Sequence, residues 1–422
     1  MLDIKIIREK AQEIRQGVLK KGEDPARVDQ AVRLDEERRR LLQKTETLKN
    51  RRNTVSADVA RMKSHGEDAS ALIAQMKAVA DEIRAIDADV SRVDAQLHSV
   101  LLAIPNIPHP SVPPGRTPAE NQVVETWGEE VEIDFPPKPH WELLEKLQIV
   151  DFPRGTKITG AGFPVYVGKG AKLERALVNF FLDDAAAHGY TEVFPPLMVN
   201  AASATGTGQL PDKEDQMYVV TQDDFYLVPT AEVPVTNYYR DEILREQQLP
   251  VRLCAYTPCF RREAGSYGKE VRGLNRVHQF NKVELVEFVR PESSYDELDA
   301  MRRQAEGLLR KLGLRYHVLL MCAGDLGFTQ AKKYDLEVWS PGQQKWLEVS
   351  SVSNFESYQA RRMNIRYRPV SGGKPEIVHT LNGSALALPR VMAALLEQNQ
   401  TPEGKVTVPA VLHRYTGFEI IG

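Results

Sequence analysis

Between Val28 and Leu102 the apolar residues keep a seven-residue beat. Leu34, Leu41, Leu48, Val55 and Met62 recur at every seventh position, and beyond Ser64-His65-Gly66 the positions Leu72, Met76, Val79, Ile83, Ile86, Val90, Val93 and Leu97 alternate steps of four and three. This spacing lays one apolar stripe along each of two helices, and the short break between them makes the pair an antiparallel coiled-coil hairpin. Each helix should run for roughly 35 residues, about 50 Å at 1.5 Å per residue, and bury only the narrow seam shared with its partner, so the hairpin is expected to form an arm. Its surface carries Arg38-Arg39-Arg40, Lys44, Lys49, Arg51-Arg52, Arg61, Lys63, Lys77, Arg84 and Arg92 among acidic residues. A charged coiled-coil face is ordinarily just a solvated one. The first helix is the more basic, however, with Arg38 to Arg40 and Lys49 to Arg52 grouped where a phosphate backbone would lie.

The arm gives way to Pro105, Pro108, Pro110, Pro113 and Pro114, which forbid helix and stiffen the chain. A helical domain over residues 1–104, a proline-rich linker over 105–115 and a second domain over 116–422 are therefore expected. The net charge of −3 excludes a globally basic nucleic-acid binder, so any contact with a polyanion rests on local patches. Cys254, Cys259 and Cys322 have neither a paired framework nor a zinc-ligand spacing, which fits a reducing compartment. The N-terminus is charged throughout, and no apolar run approaches the length of a membrane span. A soluble, cytoplasmic protein is expected.

Within the second domain, Tyr256 to Val289 is the stretch richest in chemistry. It reads as two strands joined by a basic, glycine-punctuated loop. Arg261, Arg262 and Glu263 follow the first strand at once; on the second, Phe280, Lys282 and Glu284 alternate onto one face. An antiparallel pair would bring together a guanidinium fork, an aromatic face and a carboxylate, the means to hold a nucleotide and a small charged substrate. Elsewhere a helix over 171–188 ends at Gly189, Phe225 to Val228 reads as a strand, and Thr230 is a candidate N-cap. An amphipathic helix over 298–312 is capped by Gly313, and strands follow at 316–321, 334–339 and 346–349. A serine-rich turn is expected after the last of these. No GxxxxGK[ST] or strand-borne GxGxxG is present, which argues against P-loop and Rossmann nucleotide sites.

FRREAG followed by RVHQFNKVE resembles motif 2 of the class II aminoacyl-tRNA synthetases, in the form found in bacterial-type seryl-tRNA synthetases. YTEVFPPLMVN with GTGQLP at Gly206 to Pro211 resembles motif 1, and HTLNGSALALPR resembles motif 3. The preceding coiled-coil arm strengthens the likeness to the seryl enzymes. The resemblance implies an α+β fold, in which the arm precedes a class II catalytic domain built on a mainly antiparallel sheet flanked by helices. It implies activation of L-serine with ATP, then transfer to the 3′ end of tRNA(Ser) and also of tRNA(Sec). It also implies a homodimer built through motif 1 and tRNA binding by the arm.

For the site, the resemblance assigns ATP to Arg261, Arg262, Glu263, Val277, Phe280, Glu348, Val349, Ser350, Ser351 and Arg390, with Arg261 and Arg390 catalytic. Mg²⁺ falls to Glu348 and Ser351, with Val349 and Ser350 in the same loop. Serine falls to Thr230, Ala231, Glu232, Arg261, Glu284 and Ser384. The chain departs from the motif 3 pattern at Ala385 and Pro389, where many relatives have glycine. A relative that loads a carrier other than tRNA is the rival reading, and the arm argues against it.

Overall fold

The computed structural model describes residues 1–130, 133–211, 215–263 and 272–422. The glycine-punctuated loop expected after Glu263 falls largely on 264–271, outside the described residues. The described chain divides into two compact units, Met1–Ile107 and Pro108–Gly422.

In the first unit, helices α1 (Ile4–Glu9) and α2 (Ala11–Lys20) precede the two long helices α3 (Ala26–Ser64) and α4 (Ser70–Leu102). Pro25 stands just ahead of α3, whose interior holds neither Pro nor Gly. Gly66, at φ 76°, lies in the reversal that follows it. Val28, Leu48, Val79, Ile83, Ile86, Val93, Leu97 and Leu101 form the buried seam. Burying each such side chain contributes about 1.5–3 kcal/mol. At the foot, Ile7, Ile14, Val18 and Ile104 join it in one cluster. Gly17 permits the close approach there, since a Cβ on it would stand 2.5 Å from Ile107 Cγ2. Across the hairpin, Lys44 pairs with Glu82 at 2.8 Å, Lys49 with Asp87 at 3.7 Å, and Arg38 with Asp94. Arg39, Arg40 and Arg51 remain exposed.

The second unit is organised by one sheet. Its strands in chain order are β1 (Gln122–Trp127), β2 (Thr191–Glu192), β3 (Val251–Phe260), β4 (Gln279–Val289), β5 (Tyr316–Leu320), β6 (Lys332–Ser340), β7 (Lys345–Asn354) and β8 (His379–Ala387). They lie in the order β1-β5-β6-β7-β8-β4-β3-β2, antiparallel except for the β2–β3 pair. Helices α5 (His140–Leu147), α6 (Lys169–Ala187), α8 (Ser294–Leu312) and α9 (Leu388–Gln398) bury their apolar stripes with Val283, Leu285, Leu336, Val349 and Leu381 of the sheet. Between α6 and α8 comes the short α7 (Glu232–Thr236). This is the α+β architecture the sequence implies, with the long coiled-coil helices ahead of it.

Two irregularities in the sheet matter for function. Leu336 pairs with Ser350 but Glu337 pairs with Glu348, which leaves Val349 as the extra residue of a bulge. In a regular strand Glu348 and Ser351 would face opposite ways; here, opposite Glu337 and Asp335, they share a face. The second lies between β4 and β8, where Lys282 pairs with Ala387 and Glu284 with Ser384, so Ala385 and Leu386 together oppose Val283. Leu386, not Ala385, takes the left-handed backbone, at φ 70°. Pro389 sits in the first turn of α9, where no intrahelical N–H is needed.

The structure corrects two local expectations. The segment Glu348 to Ser351 is neither loop nor turn; it belongs to a central strand that runs to Asn354 because β6 and β8 flank it on both sides. Thr230 does not cap a helix at its own position, for α7 begins at Glu232.

Candidate active site

A cavity of about 550 Å³ opens in the second unit. Its floor is β4, β7 and β8, with Phe280, Lys282 and Glu284 from the first, Glu348 to Ser351 and Ser353 from the second, and Asn382, Ser384 and Ala387 from the third. Arg261 and Glu263 enter just past the end of β3, Pro229, Thr230 and Glu232 come from the approach to α7, and Pro389 and Arg390 from the start of α9. Of the expected site residues, Arg262 and Ala231 stand apart from this lining. The Arg262 guanidinium turns to Asp215 at 3.1 Å, and Ala231 is buried with Val235 and Leu253 in a separate apolar cluster.

One end of the cavity is acidic. Glu284 Oε2 lies 2.6 Å from Lys282 Nζ and accepts the Ser384 hydroxyl at 3.2 Å. Glu232 Oε1 accepts from Gln359 Nε2 at 2.7 Å, and the Thr230 hydroxyl accepts the Glu232 N–H at 3.2 Å. Burial, and then the neighbouring Glu284 carboxylate, push Glu232 from the usual 4.5 up to about 7. A cation at this end would relieve both effects.

The other end is basic. Arg390 donates from Nε to the Asn275 carbonyl at 3.0 Å and from Nη1 to the Glu348 carbonyl at 3.0 Å, with the Glu348 carboxylate 3.5 Å away. Arg261 donates from Nε to the Pro229 carbonyl at 3.3 Å and lies 5.2 Å from the centre of the Phe280 ring. Glu263, whose backbone is left-handed at φ 50°, pairs with Arg276 at 2.9 Å. Burial would raise the Glu348 carboxyl, but 44% of the side chain is open to solvent, and Lys333 and Arg390 prevail and hold it below the usual range.

Glu348 and Ser351 give one carboxylate and one hydroxyl on a shared face, hard oxygens that suit Mg²⁺ when phosphate oxygens and water complete its shell. Among the described residues no group of three or more His, Cys, Asp or Glu side chains forms a metal cage. The donor set therefore fits Mg²⁺ brought in with a polyphosphate.

Sequence reasoning named neither Lys333 nor Asn275, Asn382 and Gln330, which also line the cavity. Lys282 stood in plain view, since it alternates onto the face of Phe280 and Glu284. No local pattern marks the others.

Residues 1–108 match the family described as the seryl-tRNA synthetase N-terminal domain, and residues 218–399 match the tRNA synthetase class II core domain (G, H, P, S and T). A serine–tRNA ligase of Salinibacter ruber is 52% identical over 425 residues, covering 100% of this chain and 99% of the relative. Among solved structures, a seryl-tRNA synthetase from Pyrococcus horikoshii complexed with ATP superposes with a TM-score of 0.95 at 38% identity, covering 100% of this chain and 99% of the other. A cytoplasmic serine–tRNA ligase from Naegleria fowleri in complex with AMP gives a TM-score of 0.90 at 28% identity, covering 100% and 98%.

Proposed function

This chain belongs to the seryl-tRNA synthetase family, and on that footing we propose that its cavity activates L-serine with ATP for transfer to tRNA(Ser). A serine carboxylate oxygen attacks the α-phosphorus; the new P–O bond forms as the bond to pyrophosphate breaks. A hydroxyl of the 3′-terminal adenosine then attacks the seryl carbonyl, and AMP leaves. The first step sets one anion against another, so positioning and charge neutralisation carry the catalysis. The observation that supports this reading best is the make-up of the cavity, where Glu232 and Glu284 stand with Thr230 and Ser384 while Arg261 and Arg390 stand with Phe280 and Glu348.

In this assignment Arg261 bridges the α-phosphate and the substrate carboxylate, and Arg390 holds the γ-phosphate. Phe280 stacks on the adenine, while Glu263 and the Val277 backbone read its edge. Thr230, Glu232, Glu284 and Ser384 enclose the serine ammonium and hydroxyl. Glu348 and Ser351 hold Mg²⁺, which when bound neutralises phosphate charge. The exposed arginines of α3 supply a surface for the tRNA backbone, with tRNA(Sec) as a second acceptor.

The same reading makes the protein a homodimer. Phe194 and Met198, 80% and 51% exposed, lie in the motif 1 segment where a second copy would cover them. No helix among the described residues is long and apolar enough to cross a membrane, and we assign the protein to the cytoplasm.

The test is amino-acid-dependent ATP/pyrophosphate exchange with serine, threonine, alanine, glycine and cysteine, followed by aminoacylation. Exchange with serine alone, together with tRNA charging that is lost on deleting residues 28–102 while exchange persists, is the expected outcome. Exchange without tRNA charging would point instead to loading of another carrier.

A further inference from the structure

Leu274, Asn275, Arg276 and Val277 form one wall of the nucleotide end of the cavity. None of them lies in a regular strand or helix. Their placement depends on what grips them from behind, and the grip is a buried polar network. His140, at the start of α5 and fully buried, donates its backbone N–H to Glu397 Oε1 at 2.8 Å, and its Nδ1 lies 2.8 Å from the same oxygen. Its Nε2 stands 2.9 Å from the Leu274 N–H. A backbone N–H only donates, so Nε2 presents its lone pair and the ring proton is on Nδ1, against the carboxylate.

Glu397 is itself held on every side. Oε2 accepts from the Ser340 hydroxyl and, at 2.9 Å, from the Gly342 N–H, and Gln343 Nε2 donates to Oε1 at 3.1 Å. Gln343 Oε1 in turn accepts from the Asn275 side chain at 2.8 Å. The two ends of α9 therefore converge on neighbouring residues: Arg390 takes the Asn275 carbonyl, while Glu397, through His140 and Gln343, fixes the Leu274 N–H and the Asn275 amide. Nearby, the Arg272 guanidinium lies 4.8 Å from the centre of the Trp141 ring. At Gly273, with φ 66°, a Cβ would stand 2.3 Å from His140 Nε2. The close approach is built into the sequence.

We propose that His140 is a positioning residue for the nucleotide: by accepting the Leu274 N–H while anchored to Glu397, it fixes the wall that receives the adenosine of ATP. The inference rests on the reading of the cavity as an ATP site. Two isosteric changes divide its roles. His140→Asn keeps a donor where Nδ1 stands and loses the acceptor for Leu274; His140→Gln keeps an acceptor near Nε2 and loses the donor to Glu397. In pyrophosphate exchange, His140→Asn is expected to raise the KM for ATP about tenfold, as an orphaned buried donor does, with the KM for serine changed less than about twofold. His140→Gln restores most of the loss.

Amide hydrogen exchange over residues 272–277, measured without substrates, reads the same grip independently of any reaction and rises about tenfold in His140→Asn. Gln343→Met, which releases Asn275 and removes one donor to Glu397 but leaves the His140–Leu274 bond in place, is expected to give the same ATP-selective change at smaller size, and it stands in if the His140 variants fail to fold. Equal rises in both KM values, a glutamine variant no better than the asparagine one, or unchanged exchange over 272–277 would overturn the proposal. Absence of serine-dependent exchange in the unaltered protein would instead sink the reading of the cavity, and the hydrogen-exchange result would still stand.

Discussion

The arm and the cavity both carry lysine–glutamate pairs, and the two kinds of pair do different work. Lys44 and Glu82 meet across the hairpin at 2.8 Å with 57% and 46% of their side chains exposed; Lys282 and Glu284 meet at 2.6 Å with 8% and 3% exposed. On the arm, water and salt compete for each charge, so a pair is worth about 0–1 kcal/mol and its members are free to exchange for a phosphate. In the cavity the same pair is stripped of water. Removing one member there leaves a buried charge without its counter-ion. Burial, more than the identity of the residues, sets the two kinds of pair apart.

The contrast is sharpest in substrate choice. If Glu284 and Ser384 are built around the serine hydroxyl, alanine should lose about 10⁴ in kcat/KM relative to serine in pyrophosphate exchange; discrimination below a hundredfold would mean the buried groups are satisfied without it. Next in size, Arg261→Ala should lower exchange by about 10², as removal of one transition-state donor does. Full activity in that variant would take Arg261 out of the reaction.

The pH dependence is smaller. Because Glu232 is raised to about 7, it loses its charge as pH falls through that value, and with it the attraction for the serine ammonium. Neighbouring Glu284 favours the protonated form, while Lys282 and the Gln359 amide oppose it. The KM for serine should rise about tenfold from pH 8 to pH 6, and Glu232→Gln should flatten the profile. The sign for stability is opposite. A carboxyl raised from 4.5 to about 7 on folding ionises more readily in the unfolded chain, so its contribution to stability falls as pH climbs through that window. Smallest of all, Lys44→Ala should cost at most about 1 kcal/mol in urea unfolding; a larger loss would erase the distinction drawn between arm and cavity.

The arm was legible because a coiled coil writes its geometry into a short period. Leu48, Val79, Ile83, Ile86, Val93 and Leu97 are buried as their spacing predicts. In the sheet, alternation sufficed for Phe280, Lys282 and Glu284, which share one undistorted strand. It could not reveal that Glu348 and Ser351 share a face, because the bulge at Val349 arises from register with β6, a partner that local sequence does not specify. Alternation read alone would have separated them. Lys333 and Asn382 entered the cavity in the same way, through strand order. His140 left no trace in any pattern, since its meaning depends on Glu397 and Leu274, each more than a hundred residues away.

The apolar seam of the arm is not uniform along its length. At the foot it merges with Ile7, Ile14, Val18 and Ile104, whereas toward the turn Val55, Met62, Leu72 and Met76 are only partly covered. Mechanically this is a cantilever clamped at one end, and a zipper that opens from the other. With less apolar surface to expose there, parting the helices costs less near Gly66 than at the foot. The distal seam can therefore open while the foot stays closed.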